Sequence, residues 1–427
     1  MVSVPATDEV ALKRRGFTLA LLTAAYFFSY MDRQILAILQ EDIRRDLLLS
    51  DTQLGLLAGF AFAIFYATLG LPVARLADRG NRVNIIAIAL ALWSGMTAVC
   101  GLAQNFVQLL LARIGVGIGE AGSSPPSHSI IADLYPPEKR AGAMGIYSLG
   151  VVLGAAGGTM IGGTLAHFYG WRVAMFAVGV PGILLAVLIK LFVVEPRRGL
   201  SDPTQSAASH GDMPAFGEGF RSLFANRAAV HLVMGVTITS LIGYGHTAFG
   251  PSFMIRSMNL DKLQIASIVA PVGAVAGTLS AVGGGWLANW AAARWGLHTQ
   301  AWLVLAMKAV GLPLSFLFFA SSDPWVGVPI YWVSIILVNS YLGPTFALIQ
   351  GLAPLRMRAL WAAVTLLVIN LIGLGLGPTL IGVISDALKP TFGVESLRWA
   401  MLTFAAATPW ALFHYWRAGV WLKRRGA

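Results

Sequence analysis

The chain repeatedly runs for about twenty residues or more with scarcely a charge, and turns polar for only short stretches in between. Crossing ~30 Å of hydrocarbon at ~1.5 Å per residue takes about 20 apolar residues as a helix. Twelve runs meet that length, at 17–39, 53–75, 83–103, 107–134, 142–168, 172–194, 229–254, 264–290, 299–320, 325–350, 359–386 and 396–416. They do not alternate at period two, which disfavours a β-barrel. With 57% hydrophobic residues, 11% charged residues and a mean hydropathy of +0.72, the chain has more apolar surface than a water-soluble domain tolerates. The expectation is an all-α membrane protein with twelve transmembrane helices. The first run is long and lacks a small-residue cleavage site, so it reads as a retained helix rather than a signal peptide.

The formal net charge of +11 raises the question of nucleic acid, and its distribution answers it. With the amino terminus in the cytoplasm, twenty of the thirty Lys and Arg residues fall on the inner side and seven on the outer. Only Arg33, Arg113 and Lys308 lie within spans. This is the positive-inside pattern for an even number of helices, so both termini are expected in the cytoplasm and no nucleic acid is expected as a partner. The single cysteine, Cys100, excludes an intrachain disulfide and a cysteine metal cluster. The seven histidines are scattered, and no nucleophile stands with a base, so no enzyme, metal or cofactor is expected.

The longest polar stretch, 195–228, is rich in Gly, Ser, Pro and Asp and ends in a short amphipathic piece. It reads as a cytoplasmic linker between a six-helix bundle at 1–194 and a second at 229–427. The bundles share weak internal repeats in the same order. "ARLAD", ending at Asp78, answers "GWLAN", ending at Asn289; Arg140 of "YPPEKRAGAMG" answers Arg358 of "APLRMRALWAA"; and Arg172 of "GWRVAMF" answers Arg398 of "SLRWAMLTF". A duplicated six-helix unit is implied.

Parallel halves around a central cavity describe the major facilitator architecture. "ARLADRGNR" (74–82) resembles that superfamily's loop between helices 2 and 3, matching at Asp78, Arg79 and Arg82 but carrying Ala74 and Asn81 where glycines are usual. "LGVVLGAAGG" (149–158) resembles its glycine-rich antiporter motif, with close helix packing as the plain alternative. Over residues 17–198 the finer resemblance is to the Spinster family of lipid transporters. It is carried by "YMDRQILAIL" in the first span and "RIGVGIGEAGSSPPSHSIIADLYPPEKR" in the fourth.

Of nineteen acidic residues, only Asp32 and Glu120 lie well inside a span; Asp133 and Asp386 stand near span ends. A charge in hydrocarbon costs ~2.5–3.5 kcal/mol or more, so such residues normally face a cavity or a partner. Arg33 lies about 24 Å along the first span and Glu120 about 20 Å along the fourth, which runs the opposite way. In the resembled fold these helices are neighbours, so an extended Arg33 can reach Glu120. Arg113 sits two turns before Glu120 on the same helix face. Burial favours a neutral acid and a nearby guanidinium favours the carboxylate, so movement of Arg33 would switch the proton on Glu120. The plain alternative is a static ion pair, and for Asp32 a local pairing with Arg33.

In the second bundle Tyr244, His246, Phe249, Phe253, Asn339, Tyr341 and Asn370 are candidates for a substrate cavity, with ordinary packing as the alternative. A hydrogen-bonded structural role competes for His246, His128 reads as structural, and Lys308 is expected to snorkel toward the cytoplasmic face. Asp78, Arg79, Arg82, Asp133 and Arg140 form a candidate cytoplasmic gate, with Asp78 attracted to the positive end of the eleventh helix. The resemblance implies a proton-coupled carrier that needs no cofactor: a bacterial inner-membrane monomer that moves a lysolipid or sphingoid substrate by alternating access, with protons and membrane lipids as partners. The alternative is the same fold exchanging a small organic anion or drug.

Overall fold

The computed structural model describes residues 6–201 and 216–424, and these contain no strand. Part of the expected linker, 202–215, lies outside the described residues. The helices are α1 (Arg15–Leu47), α2 (Asp51–Arg79), α3 (Arg82–Cys100) and α4, which is made of Phe106–Glu120 and Ser124–Leu134. α5 and α6 are the two arms of Pro137–Phe192, which meet at Gly170 with φ 84°. Then come α7 (Arg227–Ser257), α8 (Lys262–Trp295), α9 (His298–Ala320) and α10 (Pro324–Leu352). α11 and α12 are the arms of Leu360–Arg424, turning at Gly393 with φ 56°. Eight of these segments are long and apolar enough to cross a membrane by themselves, and two of the eight are helix pairs. With α1, whose apolar run is interrupted by Asp32 and Arg33, and the broken α4, they make twelve spans.

Local chemistry fixes where many helices begin. Ser50 and Gln53 form a reciprocal capping box at the start of α2, as Asp261 and Gln264 do at α8. The side chains of Asn81, Asn105, Asn226 and Asp323 accept from the first free backbone N–H groups of α3, α4, α7 and α10.

The described residues fall into two compact units, within Met1–Leu48 with Ala61–Asp212 and within Leu49–Phe60 with Met213–Ala427. In the first, the glycine-rich stretch of α5 packs on α1. Gly150, Gly154, Gly158 and Gly162 recur every fourth residue and face Thr23, Phe27, Met31 and Ile35, which do the same. A Cβ on Gly158 would lie 2.6 Å from the Met31 carbonyl oxygen, and one on Gly150 would lie 2.8 Å from that of Thr23, so only glycine permits this approach. In the second unit a core of Leu232, Val304, Trp361, Val364 and Tyr415 takes in Leu223 from the short helix Phe216–Ala225. The first turns of α2 belong to this unit, where a Cβ on Gly59 would come within 2.6 Å of the Gly375 carbonyl of α11.

Candidate functional site

Four charges converge in the apolar interior of the first unit, in two crossed pairs between α1 and α4. Arg33 donates to Oε2 of Glu120 from Nε at 2.8 Å and from Nη2 at 2.7 Å. Ser29, one turn earlier on α1, donates to the same oxygen at 2.9 Å. Oε1 of Glu120 is buried and has no hydrogen-bond partner among the described residues. Arg113 pairs with Oδ2 of Asp32 at 3.2 Å, while Thr97 of α3 donates its hydroxyl to Oδ1. Asp32, Arg113 and Glu120 are each 2% exposed. Burying such charges is tolerable because each has an opposite partner, and Ser29 and Thr97 add a hydrogen bond to each carboxylate.

The guanidinium of Arg33 is also ringed by aromatic faces, 5.0 Å from the Tyr30 centroid, 4.9 Å from Phe62 and 4.7 Å from Tyr66. Such faces attract a cation that has left water. They give Arg33 a second favourable environment besides the carboxylate. His128 lies edge-on to Tyr147 with centroids 5.2 Å apart, away from these pairs.

A second polar group lies where α2, α4 and α6 end and α3 begins. Arg82 is fully buried and donates to Glu195 at 2.6 Å, to Ser129 at 2.8 Å and to the Pro196 carbonyl at 2.7 Å, and it pairs with Asp133. Glu195 accepts again from the Val83 backbone, and Asp133 from that of Gly199. Arg140 instead donates to the Ala132 carbonyl, and Asp78 and Arg79 are exposed at the end of α2. The structure thus joins Arg82 to Asp133 and brings in Glu195, Ser129 and Arg198, which binds the Ala77 and Gly80 carbonyls. Sequence reasoning passed over Glu195, although an acid directly before "PRR" at the end of a span is a visible signal.

In the second unit, His246, Asn339 and Tyr341 line one cavity between α7, α9, α10 and α12, whereas Tyr244, Phe249, Phe253 and Asn370 are not among its lining residues. Phe249 and Phe253 are fully buried in packing, with Phe253 against Phe318 and Phe319 at 5.3 and 5.2 Å. Asn370 falls in a π-helical turn of α11, Ile369–Leu374. Nε2 of His246 lies 3.1 Å from the Met401 carbonyl, which can only accept, so that nitrogen carries the hydrogen. Lys308 departs from the snorkelling expectation, being 3% exposed and a lining residue of the same cavity. Its ammonium donates to the Val338 carbonyl at 3.0 Å and sits 4.4 Å from the Tyr341 centroid. The cause is a break in α10: helix stops at Val338 and restarts at Leu342, freeing a carbonyl for the lysine.

The same unit holds a clasp the sequence did not reveal. Arg256 grips Asp51 with two bonds of 2.8 Å, and Ser385 donates to Asp51 at 2.6 Å. Asp386 accepts from the backbone N–H groups of Asp51 and Thr52 at 3.1 and 2.8 Å, a carboxylate on a helix N-terminus.

Twelve spans and charges buried in pairs describe a membrane carrier, and comparison with known proteins gives its class. The Major Facilitator Superfamily model matches residues 22–378. An MFS-type efflux pump of Mycolicibacterium smegmatis is 32% identical over 94% of this chain and 91% of its own length. A probable L-galactonate transporter of Escherichia coli is 29% identical over 63% of this chain and 60% of its own. The solved structure of a bacterial homologue of the human lysosomal transporter Spinster, inward-facing and unoccupied, matches with a TM-score of 0.86 at 30% identity over 99% of both chains. The chain belongs to the major facilitator superfamily and is an integral membrane transporter, not an enzyme. Within that class it is Spinster-like.

Proposed function

We propose that the chain is a proton-coupled secondary transporter that moves an amphipathic, lipid-like substrate of lysolipid or sphingoid type by alternating access. The observation that carries the coupling is the lopsided solvation of Glu120: three donors crowd Oε2, and among the described residues none reaches Oε1. With Arg33 in place its guanidinium favours the carboxylate. With Arg33 drawn away from Glu120, burial favours the neutral acid, and Oε1 takes the proton. Arginine keeps its charge throughout. Asp32 and Arg113 keep each other neutralised beside this switch.

The lipid-like substrate is supported by the Spinster likeness. A second reading, a small organic anion, is favoured by the likeness to an L-galactonate transporter. Uptake into proteoliposomes, with and without a pH gradient, across labelled lysolipids and sugar acids separates them. Gradient-dependent lysolipid accumulation is expected; accumulation of a sugar acid alone would replace this reading with the second.

The protein is proposed to work as a monomer in a bacterial inner membrane, with both termini cytoplasmic and Asp78, Arg79, Arg82, Asp133 and Arg140 at the inner gate. Asp78→Asn should shift the population toward the inward-open state and slow transport. Spin-label distances between the inner ends of α2 and α11 test this, and an unchanged distribution in the variant would remove Asp78 from the gate.

A further inference from the structure

The cavity in the second unit has a volume of about 150 Å³. Lys308 and Phe318 both line it from α9, ten residues or ~15 Å apart along the axis. At the first end Lys308 bonds to Val338 and lies over Tyr341; at the other Phe318 stacks on Tyr331 with centroids 4.8 Å apart. One end therefore carries an amine and the other is aromatic.

Lys308 is the unusual member. Arg33 and Arg113, the other basic residues deep in spans, each hold a carboxylate. Among the described residues no carboxylate pairs with Lys308, and one of its three donors is used, on Val338. A buried ammonium is costly unless an anion neutralises it. The volume matches that of a cavity known to hold a benzene-sized guest.

We infer that this cavity is a binding site for a small organic acid with an apolar body: its carboxylate or phosphate meets Lys308, and an aryl or short alkyl body lies toward Phe318, Phe319 and Tyr331. The site is distinct from the Glu120 pair and does not depend on the lipid reading.

The test is equilibrium binding to the purified full-length protein in detergent, using phenylacetate, its neutral counterpart benzyl alcohol and inorganic phosphate. Phenylacetate should bind at least tenfold more tightly than benzyl alcohol, and inorganic phosphate alone should bind weakly. Lys308→Met should bring the two aryl ligands to equal affinity. Gly243 lines the cavity, and a Cβ added there meets no atom within 4 Å, so Gly243→Leu should fill the space in a folded protein and abolish phenylacetate binding. Equal binding of the two aryl ligands to the unaltered protein would overturn the proposal, as would undiminished phenylacetate binding by Gly243→Leu. Inorganic phosphate matching phenylacetate would overturn it in favour of a simple anion site. Because no gradient enters the measurement, its failure leaves the proton-coupling reading standing.

Discussion

Both units pair charges, the second through Arg256 and Asp51 near the ends of their helices, but deep within the spans they differ. In the first, two arginines and two carboxylates sit deep between α1 and α4, each cation matched to an acid. In the second, Lys308 lines a cavity, donating to a carbonyl and lying over an aromatic ring, with no acid beside it among the described residues. Weak internal repeats point to a common six-helix plan, yet nothing in that plan requires the halves to solve desolvation alike. Paired charges can exchange partners while the site stays neutral, which suits a proton switch. A buried lysine lining a cavity, with no acid beside it among the described residues, suits a site whose counter-charge arrives with a ligand.

The largest consequence of this contrast should appear in stability. Arg113→Met strands Asp32 as a buried acid, which costs about 3–5 kcal/mol when one partner of a buried pair is removed. Lys308→Met strands no acid and forfeits one hydrogen bond to Val338, about 1 kcal/mol. Thermal melts of both variants in one detergent should therefore differ widely, and adding Asp32→Asn to Arg113→Met should recover much of the loss. Equal melts for the two single variants would break the comparison.

A smaller effect separates buried from exposed pairing within the first unit. Beyond the apolar stretch of α1, Asp46 pairs with Arg172 and accepts from Trp171 Nε1 at 3.0 Å. The hydrogen bond from Arg172, followed by that from Trp171, holds its carboxyl below the usual carboxylate range. Its stabilisation is therefore present above the unfolded value of ~3.9 and is lost as pH falls through the lower folded value. The pair is exposed, so Asp46→Asn should cost only about 0.2–1 kcal/mol at neutral pH and flatten the acid side of the melting profile. A variant profile that falls as steeply as the parent's below pH ~4 would contradict that assignment.

Hydropathy made the twelve spans legible because hydrocarbon demands long apolar runs, and charge asymmetry supplied an orientation to test. Asp32, Arg33, Arg113 and Glu120 were visible because charges in such runs are expensive. Their exact partners were less so: Ser29 and Thr97 are ordinary hydroxyl residues that look like any others in a span, and only the folded geometry aims them at the carboxylates. Lys308 was misread because position along α9 gives depth but not direction. The break after Val338, which draws the ammonium inward, is signalled by Gly343 and Pro344 just beyond it, since a proline cannot donate to the carbonyl four residues back, but that signal does not say where a lysine on another helix will turn. Phe249 and Phe253 show the converse, since an aromatic on a span looks the same whether it lines a cavity or fills a core.

The central claim is that Glu120 carries the coupling proton. Glu120→Gln keeps the shape of the side chain and can accept from Arg33 through its carbonyl oxygen, but cannot take up a proton. In proteoliposomes loaded with a labelled lysolipid that the parent protein accumulates, exchange across the membrane at equal pH should survive in the variant, while accumulation driven by a pH gradient should vanish. Accumulation by Glu120→Gln with an undiminished response to the gradient would contradict the account.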